Sequence, residues 1–325
     1  MIRPRLSKVA SGTKLTTDLV NGIINRTEYA ADLLRQYKLA AGNGMYVEPH
    51  YDGTRVSYFY PVGAGATPQD SPIVKPTPAY RICGEYMIAG VQRGFVYDGS
   101  TYTDMMVPGS SLTNAYGIDG NNIVGIYVIG GVQKGFLYNG LTFTDITVTF
   151  SDSSATYPFG IDGNNIVGRY NIPNSRVRAF SYNGTTYTSL NLPMTSDVEV
   201  ATDVNGNNIV GINGEKSFLY NGINFTDIIY PGAQSTAATG IDKTNIVGWY
   251  DKGVENRKGF IYDGSTFSTI AVPNSTYTEP AKILGNNIVG FYIKNNIQTG
   301  FLFNGSSYTD IFYPNSDLTR ALGIG

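Results

Sequence analysis

GIDGNNIVGIYVIGGVQKGFLYNGLTFTDIT, residues 117–147, is the unit from which most of this chain is built. Part of it returns as RICGEYMIAGVQRGFVYDGSTYTDM (81–105). The whole returns as GIDGNNIVGRY…AFSYNGTTYTSL (160–190), TDVNGNNIVGIN…SFLYNGINFTDI (202–228), GIDKTNIVGWY…GFIYDGSTFSTI (240–270) and KILGNNIVGFY…GFLFNGSSYTDI (282–311), making six copies. The glycines that close the I-V-G or I-C-G tripeptides are Gly84, Gly125, Gly168, Gly211, Gly248 and Gly290, so the steps are 41, 43, 43, 37 and 42 residues. A period near forty is blade-sized.

Each copy reads as four short strands. A strand ending in Gly117-Ile118-Asp119 meets Gly120-Asn121-Asn122, turn chemistry because Gly and Asn tolerate positive φ. Ile123–Val128 is β-branched and aromatic. A variable loop follows, then Gly135–Tyr138, then Asn139-Gly140, a strong hairpin signal, then a fourth strand over 141–148. Four antiparallel strands in each of six copies, with no helical periodicity between them, predict an all-β six-bladed β-propeller over 80–325. The alternative is a straight solenoid.

The ends of the array separate the two. The first copy lacks a Gly-Ile-Asp strand, whereas Arg320-Ala321-Leu322-Gly323-Ile324-Gly325 is such a strand with no copy behind it. One missing piece matches one surplus piece, so the C-terminal strand is expected to complete blade one and close the ring.

Composition narrows the function classes. The 325 residues carry 23 basic and 25 acidic side chains, a formal net charge of −2, and only 15% are charged, which argues against nucleic acid or an anionic bilayer as partner. Cys83, the only cysteine, takes the place of Val124, Val167, Val210, Val247 and Val289 and is expected to be an inert core thiol. The N-terminus MIRPRLSKVASG has no apolar signal-type stretch, and nowhere do eighteen apolar residues run together, so neither conventional export nor membrane insertion is expected.

Residues 1–61 read as a separate anchoring and oligomerisation segment. A polar arm leads to Thr16-Thr17-Asp18, an N-cap with an acid in the first turn, and then to a helix over about 17–40 stopped by Gly42 and Gly44. Val20, Ile24, Ala31 and Leu34 form a heptad-like seam on it, beside a second stripe of Leu19, Ile23, Ala30, Leu33 and Tyr37. Such a helix either packs onto the propeller or self-associates. A short bundle, a trimer, is the expectation. A hairpin over about 45–60 turns at Asp52-Gly53, and 62–79, rich in Pro and Gly, is a linker.

Two resemblances add to this. The strands Gly117-Ile118-Asp119, Ile123-Val124-Gly125, Gly135-Phe136-Leu137-Tyr138 and Phe143-Thr144-Asp145-Ile146 resemble the HAF-type extracellular repeats over about 80–325. That family implies the fold and no agreed activity. Thr202-Asp203-Val204 and Lys282-Ile283-Leu284 depart from its pattern and are expected to be looser inner strands. Leu15-Thr16-Thr17-Asp18-Leu19, Gly42-Asn43-Gly44 and Asp52-Gly53-Thr54-Arg55-Val56-Ser57 are similar to helix-then-hairpin anchors of bacteriophage virion proteins. The resemblance implies a virion fibre or spike subunit, with other virion proteins bound through the N-terminal segment.

Catalysis is disfavoured. His50 is the only histidine and lies outside the repeats, so no Ser-His-Asp, Cys-His or His/Cys metal constellation is available in the propeller, and no cofactor or metal is expected. Asp98 and Asp263 share a turn slot with Asn139, Asn183, Asn221 and Asn304 and read as turn residues. Asp119, Asp162, Asp203 and Asp242 recur in the first hairpin, as turn formers or, in the alternative, as carboxylates around an axial cation.

The segments after strands two and four vary between copies while the other turns stay uniform, and in an up-and-down blade these sets lie on opposite faces. The variable face is therefore the expected recognition surface for a host-surface glycan or protein. Its candidates are Arg176 and Arg178 in copy three, Trp249, Asp251, Glu255, Arg257 and Lys258 in copy five, and Tyr157 and Tyr277 in the crossovers, although Trp249 takes the strand position of Ile126, Ile212 and Phe291, where packing between blades is the first expectation and the loop charges are the stronger candidates. Arg176, Arg257 and Lys258 are expected to be exposed single charges that contribute little to stability. The linker enters at the uniform face, which would put the anchor opposite the variable loops. The reading is a non-enzymatic virion protein for host attachment. The alternatives are an architectural virion or envelope propeller, with an extracellular or cell-surface location also open, and a polysaccharide-acting enzyme using Asp251 and Glu255.

Overall fold

A computed structural model describes residues 80–174, 176–192, 196–253 and 257–325, together with two short antiparallel strands, Tyr46–Glu48 and Ser57–Phe59. The chain divides into two units, Met1–Lys75 and Pro76–Gly325. The expected helix over about 17–40, with Val20, Ile24, Ala31 and Leu34, and the linker over 62–79 lie outside the described residues, as does the rest of the expected hairpin.

Residues 80–325 form six four-stranded antiparallel sheets. Blade two is Leu112–Asp119, Asn122–Ile129, Val132–Tyr138 and Phe143–Ile146, paired in chain order. Blades three to six repeat that order behind first strands Ala155–Asp162, Glu199–Asn205, Ser235–Asp242 and Tyr277–Leu284. Blade one is the exception. Its first strand is the C-terminal Leu318–Ile324, paired with Ile82–Ile88, and the N–H of Arg81 donates to Gly325 O at 2.7 Å. The fold is a closed six-bladed β-propeller.

The repeating residues explain the blade. The I-V-G glycine of each second strand faces a third-strand phenylalanine, and Phe95, Phe136, Phe180, Phe260 and Phe301 have no exposed surface. At Gly125 a Cβ would lie 1.9 Å from Asn114 O and 2.9 Å from the Phe136 ring, so the ring occupies the space that glycine leaves. We expect Gly125→Ala to destabilise the propeller by about 3 kcal/mol, the upper end for overpacking, because the nearest atom is backbone and cannot rotate away. Chemical denaturation checks this.

The hairpin between strands two and three is shorter than its sequence suggests. Residues 128–134 are not a loop, because Gly130 and Gly131 both take positive φ (58° and 78°) and close a two-residue turn, so strand three begins at Val132. Asn295 and Asn296, at 52° and 63°, do the same in blade six. Real length variation is left to 172–176 and 251–258 and to the crossovers, which places it around blades three to five.

Every first strand carries a bulge at one register position, between Ala115 and Gly117 in blade two and at its equivalents elsewhere. After the bulge comes the residue that faces the second-strand valine or Cys83: Gly117, Gly160, Asp203, Gly240, Lys282 and Gly323. The six first strands end around one axial depression. The strands there run backbone against backbone, a Cβ on Gly160 falling 2.7 Å from Asp203 Cα and one on Gly240 2.7 Å from Lys282 Cα. Asp203 and Lys282 occupy what the glycines leave. Lys282 Nζ is 2.7 Å from Asp203 Oδ1 and donates to Thr202 O, joining blades six and four across blade five, and the Ile241 N–H donates to Asp203 Oδ2.

These strands are therefore regular, not loose as expected. Nor is Asp203 the counterpart of Asp119; Asn205 is. Asp119 Oδ2 accepts the Gly163 N–H at 2.7 Å, Asp162 that of Gly206, Asn205 Oδ1 that of Lys243 at 2.9 Å and Asp242 that of Gly285 at 2.7 Å. Each side chain ties one blade's turn to the next. That is the turn-forming role expected of Asp119, Asp162 and Asp242, now reaching across a seam.

Candidate functional site

A seam is the line where the third strand of one blade meets the first strand of the next. Three seam positions per blade, read down the register, show where the repeat departs from itself. The first is a threonine on the first strand. Thr113, Thr156, Thr236, Thr278 and Thr319 each accept, through Oγ1, a backbone N–H of the crossover before them, at 2.9 to 3.1 Å. In blade four this position is Glu199. The second is a third-strand cation that pairs with a fourth-strand carboxylate of the same blade, as in Arg93–Asp104, Lys134–Asp145 and Lys216–Asp227. In blade three the cation is Arg178, but the carboxylate position is Ser189. The third is the hairpin residue held by Gln92, Gln133 and Gln298; in blade five it is Arg257.

Arg257 organises the seam between blades five and six. Its guanidinium carbon lies 3.6 Å from the centroid of the Trp249 ring and 5.4 Å from that of Tyr277, and Nη1 is 2.6 Å from Glu279 Oε1. Trp249 is carried by the second strand of blade five, opposite Ala237 and Gly259, and Tyr277 and Glu279 by the first strand of blade six. The small Ala237 and Gly259 leave the indole room to lie along the seam. Asp251 does not join this cluster, since its Oδ1 accepts the Gly253 N–H and closes the loop, and Glu255 lies outside the described residues. Lys258 stands opposite Tyr250.

Arg178 turns to the seam between blades three and four. Its Nη1 is 3.5 Å from Glu199 Oε1, with side chains 12% and 2% exposed, while Arg176 Nε is 2.7 Å from Asp197 Oδ1. Burial pushes the Glu199 carboxyl up from its ordinary value, and the Arg178 and Arg176 charges oppose that. Tyr157 is half-buried, with the Arg169 guanidinium 4.3 Å over its ring. At the seam between blades six and one, buried Glu85 accepts Gln92 Nε2 at 2.7 Å and Arg320 Nη1 at 3.0 Å, and Arg320 packs on the Phe291 ring.

Arg176 and Arg257 are thus not the exposed single charges expected from sequence. Both are ion-paired, and replacing Arg257 alone strands a half-buried carboxylate. The sequence reasoning missed Glu279 and Glu199, partners that lie 22 and 21 residues along the chain from Arg257 and Arg178. For Glu199 the signal available was a glutamate where the other five copies have threonine; the Glu279 position varies from copy to copy and offered none. Asp98 and Asp263 are turn residues, as read: Oδ1 of each accepts two backbone N–H groups at 2.7 to 2.9 Å. Cys83 is fully buried, and burial pushes its thiol up to about 12, the inert core position expected.

No protein-family model and no curated protein matches the chain. Among solved structures it is similar to TolB from Acinetobacter baumannii, at 13% identity and a TM-score of 0.57, over 74% of this chain and 65% of that one. It is also similar to the Aleuria aurantia lectin in complex with Fucα1-6GlcNAc (14% identity, TM-score 0.47, 72% and 92% covered). The β-propeller domain of the Trilobed protease from Pyrococcus furiosus is a third (11%, 0.47, 72% and 79%). At these identities the likeness is one of fold.

Proposed function

We propose that this chain is a non-enzymatic binding protein, a virion fibre or spike subunit whose propeller recognises a host-surface glycan or protein through its variable face. The observation that carries the reading is the cluster of Trp249, Arg257, Tyr277 and Glu279 at one seam. Tryptophan, tyrosine and arginine are the side chains that dominate recognition energetics, because the two aromatics offer large surfaces at little entropic cost and arginine a planar group that stacks and hydrogen-bonds. Here they come from two strands and one hairpin of two adjacent blades, and a platform held by sheet structure loses little entropy when a ligand docks. The N-terminal segment, on this proposal, assembles the subunit into a trimer and holds it to other virion proteins.

The repeat supplies a test that spares the fold. Trp249→Ile, Arg257→Gln and Glu279→Asn install residues that blades two and one already carry at these positions: Ile126, then Gln92 or Gln133, then Asn114. The triple variant should melt within a few degrees of the parent, yet lose attachment to cells or arrayed glycans by about thirtyfold, the scale of a hot-spot residue. Undiminished attachment would refute the seam. Light scattering of the full chain tests the trimer, and release of reducing sugar from polysaccharide would refute the non-enzymatic reading.

A further inference from the structure

Blade five breaks the repeat at a place that its neighbours fill with a carboxylate. In blade one the second-strand Tyr86 phenol donates to Asp104 Oδ1 at 2.8 Å, and the third-strand Arg93 donates to Asp104 Oδ2 at 2.9 Å. In blade two Tyr127 and Lys134 hold Asp145 in the same way, at 2.6 and 2.8 Å. A phenol and a cation thus make a socket for one carboxylate on the outer strand. The socket is open to water, since the Asp104 and Asp145 side chains are 39% and 46% exposed. Blade five keeps the phenol, Tyr250, and the cation, Lys258, in the same register, but opposite Phe260 it carries Thr269 where Asp104 stands opposite Phe95. Blade three also lacks the aspartate, yet there Arg178 has turned to Glu199.

Blade five adds a second phenol and a second cation to this place. The crossover residue Tyr230 stacks on Tyr250, 3.6 Å between ring centroids and 6° between planes, and the two phenols share the Thr269 hydroxyl at 3.1 and 3.2 Å. Lys252 Nζ lies 5.6 and 5.7 Å from the centroids of those two rings and makes no ion pair among the described residues. Burial would raise the Tyr230 phenol, but its bonds to Thr269 and Tyr250 and the charges of Lys252 and Lys258 bring it below its ordinary value. Thr269 is exposed, and Tyr230, Lys252 and Lys258 are half-buried, so the group stands at the rim of the blade.

We infer that Tyr230, Tyr250, Lys252, Lys258 and Thr269 form an anion socket that takes the carboxylate of an acidic sugar where blades one and two hold their own aspartate. The lysines give charge-assisted bonds and the hydroxyl protons can turn towards the ligand. An ammonium ligand would be repelled, and a neutral one would leave the cations unserved. With 15% charged residues and a net charge of −2, the chain offers a single socket for one charge, not a track for a polyanion. The Thr269 and Tyr230 hydroxyls can each donate or accept, which suits a carboxylate flanked by ring hydroxyls better than that of an acidic peptide, flanked by methylenes. Tyr250 follows Trp249 on one strand and so faces the opposite side of the sheet, which makes the socket separate from the Trp249 seam.

The decisive variant fills the socket from within. Thr269→Asp supplies the carboxylate that blades one and two carry, and should melt at or above the temperature of the parent. The full chain is titrated with methyl glucuronide, methyl glucoside and the methylamide of N-acetylaspartate, followed by saturation-transfer NMR. The parent should bind the glucuronide at least about tenfold more tightly than either of the others, the scale of a hydrogen bond to a charged group. Thr269→Asp should abolish that binding, and Lys252→Gln should weaken it by about tenfold. No binding of the glucuronide, equal binding of the glucoside, or glucuronide binding that Thr269→Asp leaves intact would each overturn the socket. Equal binding of the aspartate derivative would overturn its assignment to a sugar. The Trp249→Ile, Arg257→Gln, Glu279→Asn protein should bind the glucuronide as the parent does; if it lost the glucuronide while Thr269→Asp kept it, the socket would fail and the seam between blades five and six would stand.

Discussion

Replacing Lys282 by methionine should destabilise the propeller by about 3–5 kcal/mol, the cost of leaving a buried carboxylate without its partner. Asp203 is 7% exposed and lies against the backbone of neighbouring first strands at the wall of the axial depression. Burial pushes the Asp203 carboxyl up and the Lys282 ammonium down, each against its charged form, and each charge opposes the shift of the other. Removing the lysine therefore leaves the burial of Asp203 opposed only by backbone N–H groups such as that of Ile241. Asp203→Asn combined with Lys282→Met should recover most of the loss, because an asparagine carbonyl still accepts the Ile241 N–H and no net charge remains buried. Guanidinium titrations of the two singles and the double, taken as a double-mutant cycle, measure the coupling. A cost below about 1 kcal/mol for Lys282→Met would mean that the pair is not buried as described.

Why the axis tolerates a charged pair follows from the glycines. Four of six blades place glycine at this register position, so the first strands approach until backbone meets backbone. A single large residue could not be accommodated six times around. One aspartate and one lysine two blades apart fill the residual space together. The pair is also a sorting device, on our reading: a blade slipped by one place in the ring would bring either charge against a glycine position and leave it unpaired.

The fold was legible because its determinants are local and repeated. Asn139-Gly140 and its counterparts set hairpin register by turn chemistry, and the I-V-G glycines mark the phenylalanine sockets, so the blade count and ring closure could be read without tertiary information. Loop lengths were misread for the same reason. Gly130-Gly131 suggests a flexible connection, whereas two successive positive-φ residues make the tightest hairpin turn. The Asp203 error has a related cause. Matching Asp203 to Asp119 by residue type ignored that Asn205 is the residue immediately before the turn glycine Gly206, as Asp119 is before Gly120, and register in a hairpin is counted from the turn. Of the site, Trp249 and Arg257 stood out by composition. Glu279 and Glu199 did not, because a seam pairs residues of consecutive blades and this pairing has no period within one copy.

Removing Leu318–Gly325 should have the largest effect of any change to this propeller, abolishing its cooperative unfolding transition. The segment is the inner strand of blade one, so its loss breaks a ladder with 82–87 and leaves the strand Ile82–Ile88 as an unpaired edge facing the axis. It also uncovers Ile82, Cys83 and Phe95, all fully buried, and removes Ala321 and Ile324 from the core they share with Val289 and Ile311 of blade six. Thr319 and Arg320 are lost with it, which frees the Tyr313 N–H and leaves Glu85, 3% exposed, with Gln92 as its remaining side-chain partner. Two or three apolar side chains at about 1.5–3 kcal/mol each, together with an exposed buried carboxylate, equal the whole stability of an ordinary domain. The truncated chain should bind ANS, lose its sigmoidal melt and be cut by protease within the array. Adding residues 318–325 as a free peptide should restore protection at high concentration, since a strand can complete a sheet edge in trans. A truncated protein that melts like the parent would show that blade one holds as three strands, and that closure by this strand is not what keeps the ring together.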